Sequence, residues 1–195
     1  MISSNRLKQA KRALRLEIRA RRDALTPQDR ATRSQRIAER LIALPELVRA
    51  GTVMAFSSFG SEVDTAPILE ALAERGVRLA LPRIAEGEIA PVAYRPGDEV
   101  SATAFGALEP SSGEVVADDQ VDVVVTPGVV FDRHGHRVGY GGGYYDRLFR
   151  RTRPSAFRVA VGFSVQVVNE VPHGTVDLPV DAVVTEDEVI RCPRV

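Results

Sequence analysis

Apolar positions in the first part of the chain recur at helical spacing, and beyond residue 50 they gather into short runs. Between residues 5 and 25, Leu7, Leu14, Ile18 and Leu25 fall seven and four apart, which places them on one stripe of an α-helix. Thr26-Pro27-Gln28-Asp29 restarts the chain: Thr26 can cap, Pro27 suits the first helical position, and Asp29 favours the positive helix end. The second helix turns Ile37, Leu41 and Leu44 inward, and Pro45 is expected to end it. Val53-Met54-Ala55-Phe56 then reads as a buried strand. Thr65-Ala66-Pro67 opens a helix with Ile68, Leu69 and Leu72 inward, and Gly76 closes it before the strand Val77 to Leu81. A strand–helix–strand unit of this kind implies a parallel pair joined by a right-handed crossover.

Ile89 to Tyr94 reads as a further strand, and residues 95 to 120 as a long loop punctuated by Pro and Gly. Val121 to Val125 is a buried strand, followed by a short strand to Phe131 and the polar turn Asp132 to His136. A helix carrying Tyr144, Leu148 and Phe149 comes next, then strands at Arg158 to Phe163, Ala182 to Thr185 and Val189 to Arg191. Alternating strands and helices argue an α/β fold with a mainly parallel sheet. The 195 residues suit a single domain spanning 1–195.

Composition narrows the class. The 26 basic and 26 acidic residues cancel, so no global charge drives the chain toward nucleic acid or an anionic membrane. The lone Cys192 excludes an intrachain disulfide and any Cys/His zinc spacing, which fits a reducing compartment. The polar start at Ser3, Ser4 and Asn5 does not resemble a secretory leader, and no apolar run approaches the roughly 20 residues that span a bilayer. The expectation is a cytoplasmic monomer. His134, His136 and His173 show no triad or metal spacing and read as turn residues, and Cys192, with no evident base, reads as inert.

The candidate chemistry lies in Gly139-Tyr140-Gly141-Gly142-Gly143-Tyr144-Tyr145-Asp146-Arg147. Glycines let consecutive backbone N–H groups converge on an anion, and a helix starting near Tyr144 adds partial positive charge at the same point. Asp146 could hold a magnesium ion, and Arg137 and Arg147 could pair with phosphate oxygens. The run lacks the Lys-Ser/Thr end of a Walker A loop. A flexible turn remains the competing reading. The first 22 residues carry eight cations against the single acid Glu17, with Lys11, Arg15, Arg19 and Arg22 on one helical stripe. That stripe reads either as a solvated face or as a polyphosphate contact.

Arg137-Val138-Gly139-Tyr140-Gly141-Gly142-Gly143-Tyr144-Tyr145-Asp146-Arg147 resembles the signature of the 5-formyltetrahydrofolate cyclo-ligase family. Pro127-Gly128-Val129-Val130-Phe131-Asp132 and Lys11-Arg12-Ala13-Leu14-Arg15 are similar to two further blocks of that family. Glu62-Val63-Asp64-Thr65, Leu81-Pro82-Arg83, Phe105-Gly106, Glu109-Pro110 and Asp177 with Asp181 follow in the family's order. The resemblance implies a three-layer α/β/α sandwich of Rossmann-like type. It also implies ATP-dependent closure of 5-formyltetrahydrofolate to 5,10-methenyltetrahydrofolate through a phosphorylated formyl group, releasing ADP and phosphate. Under it, Arg137, Tyr144 and Asp146 serve the reacting groups. Lys11, Arg12, Ala13, Leu14 and Arg15 bind ATP, together with Arg137, Val138, Gly139, Tyr140, Gly141, Gly142, Gly143, Tyr144 and Tyr145. Ser57, Glu62 and the segment Tyr140 to Tyr144 bind the folate, with Phe59 and Arg83 as neighbours, and Asp146 and Asp177 bind Mg2+. The implied partner is a small molecule, with or without a polyglutamate tail, and no nucleic acid or membrane. Some members carry a lysine where this chain has Gly142.

Two other readings compete with this one. The first is a binding protein that holds a folate, a nucleotide or RNA without turnover. The second is an isomerase or transferase acting on a phosphorylated sugar, which would need a general base that the pattern does not supply.

Overall fold

The computed structural model describes residues 4–103 and 106–193; Phe105 of the family-like Phe105-Gly106 pair lies outside them. In chain order the elements are α1 (Ser4–Asp23), α2 (Pro27–Ile42), α3 (Pro45–Arg49), β1 (Thr52–Met54), α4 (Ala66–Glu74), β2 (Arg78–Ala85), β3 (Glu88–Tyr94), β4 (Val100–Ala102) and β5 (Leu108–Pro110). There follow β6 (Val123–Thr126), β7 (Val130–Phe131), β8 (Arg137–Val138), α5 (Tyr144–Arg151), β9 (Phe157–Val161), β10 (Ala182–Val184) and β11 (Val189–Arg191).

Seven strands form the main sheet in the order β11-β10-β9-β6-β1-β2-β3. The inner pairs β1–β2, β1–β6, β6–β9 and β9–β10 are parallel, whereas β2–β3 and β10–β11 are antiparallel. Strand periodicity divides the inner strands cleanly between two faces. Val53, Leu79, Val123, Val125, Val159 and Val184 pack on Ile37 and Leu41 of α2, Leu47 of α3 and Ile68 and Leu72 of α4. Met54, Ala80, Val124, Ala160 and Val183 turn the other way, onto Leu148 and Phe149 of α5. Helices therefore cover both faces of the sheet, which is the expected three-layer α/β arrangement. The continuous apolar runs of the sequence are strands buried on both sides.

After β1 the chain moves outward to β2, and it later returns as β6 on the other side of β1. This reversal opens a crevice beyond the carboxyl ends of β1 and β6, the usual ligand position in open α/β sheets. Helix α1 packs at that end. Its Ile18 sits with Val129, Val130, Val138 and Val171 in a separate small core, and the helix lies against the 3-10 turn Ser164–Gln166 that follows β9.

Two local expectations are revised. Pro45 does not end the second helix, which stops at Ile42; it begins α3, because a first-turn residue has no use for the N–H that proline lacks. The stretch 95–120 also holds more order than a loop. It contains the antiparallel hairpin β4–β5, with Ser101 opposite Glu109, and the 3-10 turn Asp118–Gln120. Three-residue strands whose side chains are mostly only partly buried or exposed carry no apolar alternation, so the sequence pattern did not reveal them.

Candidate active site

The glycine segment leaves the β7–β8 hairpin and feeds directly into α5. The buried Asp132 carboxylate fixes that hairpin by accepting the backbone N–H groups of His134, His136 and Val171. Gly141 and Gly143 hold φ of 112° and 66°, a region costly for other residues, and Gly143 is the N-cap of α5. At Gly142 the constraint is space, since a Cβ there would stand 2.3 Å from the Tyr144 ring. A lysine at this position is compatible only with a displaced Tyr144. Arg147 secures the segment by donating to Gly142 O at 2.9 Å while lying over the Tyr144 ring.

One half of the site collects cations and acids. Lys11 Nζ lies 2.5 Å from Asp177 Oδ2, which also accepts the Gly174 N–H at 2.6 Å. Arg15 Nε donates to Gly139 O at 2.7 Å. The buried Arg137 lies over the Phe149 ring and donates to Asp146 Oδ1 at 3.1 Å and Leu178 O at 2.5 Å, while the Leu178 N–H returns to Asp146 Oδ1 at 3.0 Å. Burial lowers the pKa of Arg137, and Asp146 opposes that effect. For Asp177 burial acts upward, but Lys11, the Gly174 N–H and Arg137 together hold its carboxyl below the ordinary value of 3.8. This half can therefore present positive charge at the end of a glycine-rich helix start, which suits a phosphate chain. Three of the four stripe cations, Lys11, Arg15 and Arg22, turn inward to partners in the site. Arg19 alone pairs on the exposed surface, with Asp23. Arg6, Lys8, Arg12 and Arg21 likewise stay exposed on α1, so the helix divides its cations between the site and the surface.

No group of three or more His, Cys, Asp or Glu side chains among the described residues has metal-holding geometry. Mg2+ commonly takes one or two carboxylates and completes its shell with water and phosphate. Asp146 and Asp177 fit that demand: among the described residues each engages a single oxygen, leaving Asp146 Oδ2 and Asp177 Oδ1 open.

The other half centres on Glu62, which is 8% exposed. The loop after β1 is clamped by Thr65, whose hydroxyl donates to Phe56 O at 2.7 Å and accepts the Ser58 N–H at 3.0 Å. Thr65 occupies the N-cap position of α4 without capping it through its side chain; it ties the loop that carries Glu62 instead. Glu62 Oε1 accepts the Tyr140 hydroxyl at 2.6 Å and Oε2 the Phe59 N–H at 3.1 Å. The Phe59 and Tyr140 rings lie 5.4 Å apart. Burial pushes the Glu62 carboxyl above its ordinary 4.5, against the lowering effects of Tyr140, the Phe59 N–H and Arg22. Tyr140 is pushed up to about 12 by burial and by Glu62, so it is the donor of that pair. Beside this loop a cavity of about 280 Å³ opens, lined by Pro27, Arg30, Ser34, Ser58, Phe59 and Asp64.

The structure thus gathers Lys11, Arg15, Glu62, Arg137, Asp146, Asp177 and the glycine segment. Ser57 stands on the same loop, half-buried. Arg12 and Ala13 face solvent, half-buried Leu14 packs toward the small core, and Val138 is buried in that core. Arg83 sits on β2 opposite Ala90 of β3, and no hydrogen bond joins it to the cluster among the described residues. Two features escaped the sequence reading. Arg22 is buried against Tyr140 and Ser61. His136 and His173 stack with ring centroids 3.5 Å apart, and burial together with His173 pushes the His136 pKa below 6.5, so these are not merely turn residues. Their 37-residue separation hides the stack from any local pattern, whereas Arg22 was legible as the end of the cationic stripe.

Fold and site together define an α/β enzyme with an anion cradle joined to a buried carboxylate pocket. The chain belongs to the 5-formyltetrahydrofolate cyclo-ligase family, which it matches over residues 7–186. It is 36% identical over 182 residues to the 5-formyltetrahydrofolate cyclo-ligase of Escherichia coli strain K12, covering 88% of this chain and 98% of that one. To the mouse (Mus musculus) 5-formyltetrahydrofolate cyclo-ligase it is 27% identical over 191 residues, covering 91% and 94%. The solved structure of Aquifex aeolicus 5,10-methenyltetrahydrofolate synthetase superposes with a TM-score of 0.84 at 34% identity, covering 95% of this chain and 94% of that one. Among the described residues, no helix is long and apolar enough to cross a membrane.

Proposed function

We propose that this enzyme closes 5-formyltetrahydrofolate to 5,10-methenyltetrahydrofolate at the expense of ATP, as a monomer in the cytoplasm. The observation that carries the reading is the junction of two unlike half-sites, a cationic glycine-rich cradle and a buried carboxylate, bridged by Tyr140.

A formyl oxygen is a poor leaving group, and phosphorylation makes it a good one. In the proposed reaction that oxygen attacks the γ-phosphorus and ADP departs. N10 then adds to the activated carbon, phosphate leaves with the former formyl oxygen, and the N10 proton is lost. Catalysis is then mostly positioning and charge stabilisation. Lys11, Arg15 and Arg137 bind phosphate oxygens, and the N–H groups from Gly139 to Tyr145 line the nucleotide. Glu62 accepts two hydrogen bonds from the aminopyrimidine edge of the pterin, with Ser57 beside it, and Tyr140 and Tyr144 offer rings to the folate. Asp146 and Asp177 would hold Mg2+, which neutralises phosphate charge when bound.

Purified protein mixed with 5-formyltetrahydrofolate, Mg2+ and ATP should form the methenyl product, read by its near-ultraviolet absorbance, with ADP in equal amount. Intact ATP and no absorbance change would overturn the reading.

A further inference from the structure

Arg22 stands in the last turn of α1 and is 3% exposed. Its Nε donates to Ser61 Oγ at 3.0 Å and its Nη1 to the Tyr140 hydroxyl at 3.2 Å. With Phe56, Glu62, Pro127, Gly128 and Gln166 it encloses a narrow cleft at the sheet reversal. A buried guanidinium is costly unless its charge is used. The carboxylate directly beside Arg22 is the half-exposed Asp23, at 4.0 Å, whereas the buried Glu62 is reached through Tyr140. The tyrosine hydroxyl accepts from the guanidinium and donates to the carboxylate, and such a chain strengthens each bond within it. Ser61, gripped by Arg22, also donates to Asp23, which pins the loop that carries Glu62.

We propose that Arg22 is a positioning residue for folate recognition. It holds the 59–62 loop and Tyr140 in register and favours the charged form of the buried Glu62 carboxylate. The identity of the ligand rests on the cyclo-ligase reading; the coupling of Arg22 to Glu62 does not. Among the described residues, the groups acting on Glu62 are Arg22 from α1, Tyr140 from the glycine segment, Tyr145 from α5 and the Phe59 N–H of its own loop, while Arg30 of α2 and Asp64 line the cavity beside it. Of the groups acting directly on Glu62, Arg22 is the cation. A substrate that draws Tyr140 onto its own ring leaves Arg22 as the cation that sustains Glu62.

The test pairs a titration with kinetics on the full chain. Carbon-13 NMR of labelled glutamate carboxyls, with Glu62 assigned through Glu62→Gln, follows the Glu62 midpoint without any ligand. Arg22→Met should raise that midpoint by about one pH unit, and Arg22→Lys should leave it near wild type. In turnover assays Arg22→Met should raise KM for 5-formyltetrahydrofolate about tenfold at pH 7, with a much smaller change in kcat. The rise in KM on acidification should begin at higher pH, since a carboxyl with a raised midpoint loses its charge sooner. Arg22→Lys should recover most of the affinity. An unmoved midpoint in Arg22→Met overturns the inference, as does a loss of kcat with KM intact. Should Arg22→Met fail to fold, a midpoint in Arg22→Lys raised as far as one unit overturns it equally. A wild-type protein that never turns over 5-formyltetrahydrofolate overturns the functional reading alone, because the titration still decides the coupling.

Discussion

The two halves of the site solve opposite electrostatic problems. In the cradle, charges are many and paired in crossed fashion, Lys11 with Asp177 and Arg137 with Asp146, and all but the buried Arg137 are partly open to water. In the Glu62 pocket there is one buried carboxylate, served by a hydroxyl, an N–H and a cation at one remove. Paired charges in reach of solvent exchange readily for a charged ligand, so the cradle is suited to affinity for phosphate but poor at discrimination. A buried carboxylate with fixed donors penalises any ligand that leaves it unpaired, so under the proposed function selectivity would reside in the pocket.

Asp146 is the sharpest place to break the cradle. Its Oδ1 organises both Arg137 and the Leu178 N–H, so replacement by alanine would also strand a buried guanidinium. Asp146→Asn retains an acceptor and removes the charge. It should lower kcat by about a thousandfold, while circular dichroism shows an unchanged fold. Full activity would remove Asp146 from the phosphate chemistry.

Glu62→Gln breaks the other half and should separate from it kinetically. KM for the folate should rise by about a hundredfold, with KM for ATP little changed. A parallel rise in both constants would mean that the two halves are not independent.

Lys11→Met should act more weakly, raising KM for ATP about tenfold, an effect that shrinks as salt is added. It also has a stability signature. Asp177 has a folded pKa below its ordinary 3.8, so its stabilisation is present above that value and disappears as pH falls through the folded value. Both partners are roughly four-fifths buried, and the pair should contribute about 1 kcal/mol at neutral pH. The melting-temperature gap between wild type and Lys11→Met should therefore close as pH drops below 3.8. A gap that persists in acid would assign the loss to packing of the lysine stem.

The same contrast explains what the chain discloses before it is folded. The cradle was legible because its chemistry is local: glycines at consecutive positions, an acid early in the next helix and cations at helical spacing. The inner strands were legible because Val53, Val123 and Val159 lie in apolar runs that could only be buried. The resemblance pointed to Glu62, but nothing in its flanking residues tells that Tyr140, 78 positions later, would cap it. Arg22 read as the end of the cationic stripe, but its burial was hidden because it depends on the loop that Thr65 folds back. The β4–β5 hairpin escaped because its side chains cover too little to leave a pattern. Long-range pairing is invisible to periodicity, and the pocket is made of long-range pairs.

Tyr145 tests the comparison most finely, because it lies between the halves and feels both Glu62 and Arg137. Its hydroxyl is buried and has no hydrogen-bond partner among the described residues, and burial pushes its pKa far above the ordinary 10.0, so it keeps its proton. A desolvated hydroxyl of this kind costs about 1 kcal/mol or more. Tyr145→Phe removes it and keeps the ring that packs edge-on against Phe149. The variant should therefore melt about 2–4 °C higher than wild type, in a calorimetric scan without ligands. A lower melting temperature would show that the hydroxyl is hydrogen-bonded in solution, which would join the two halves into one polar network and make the division between them a matter of ligand chemistry alone.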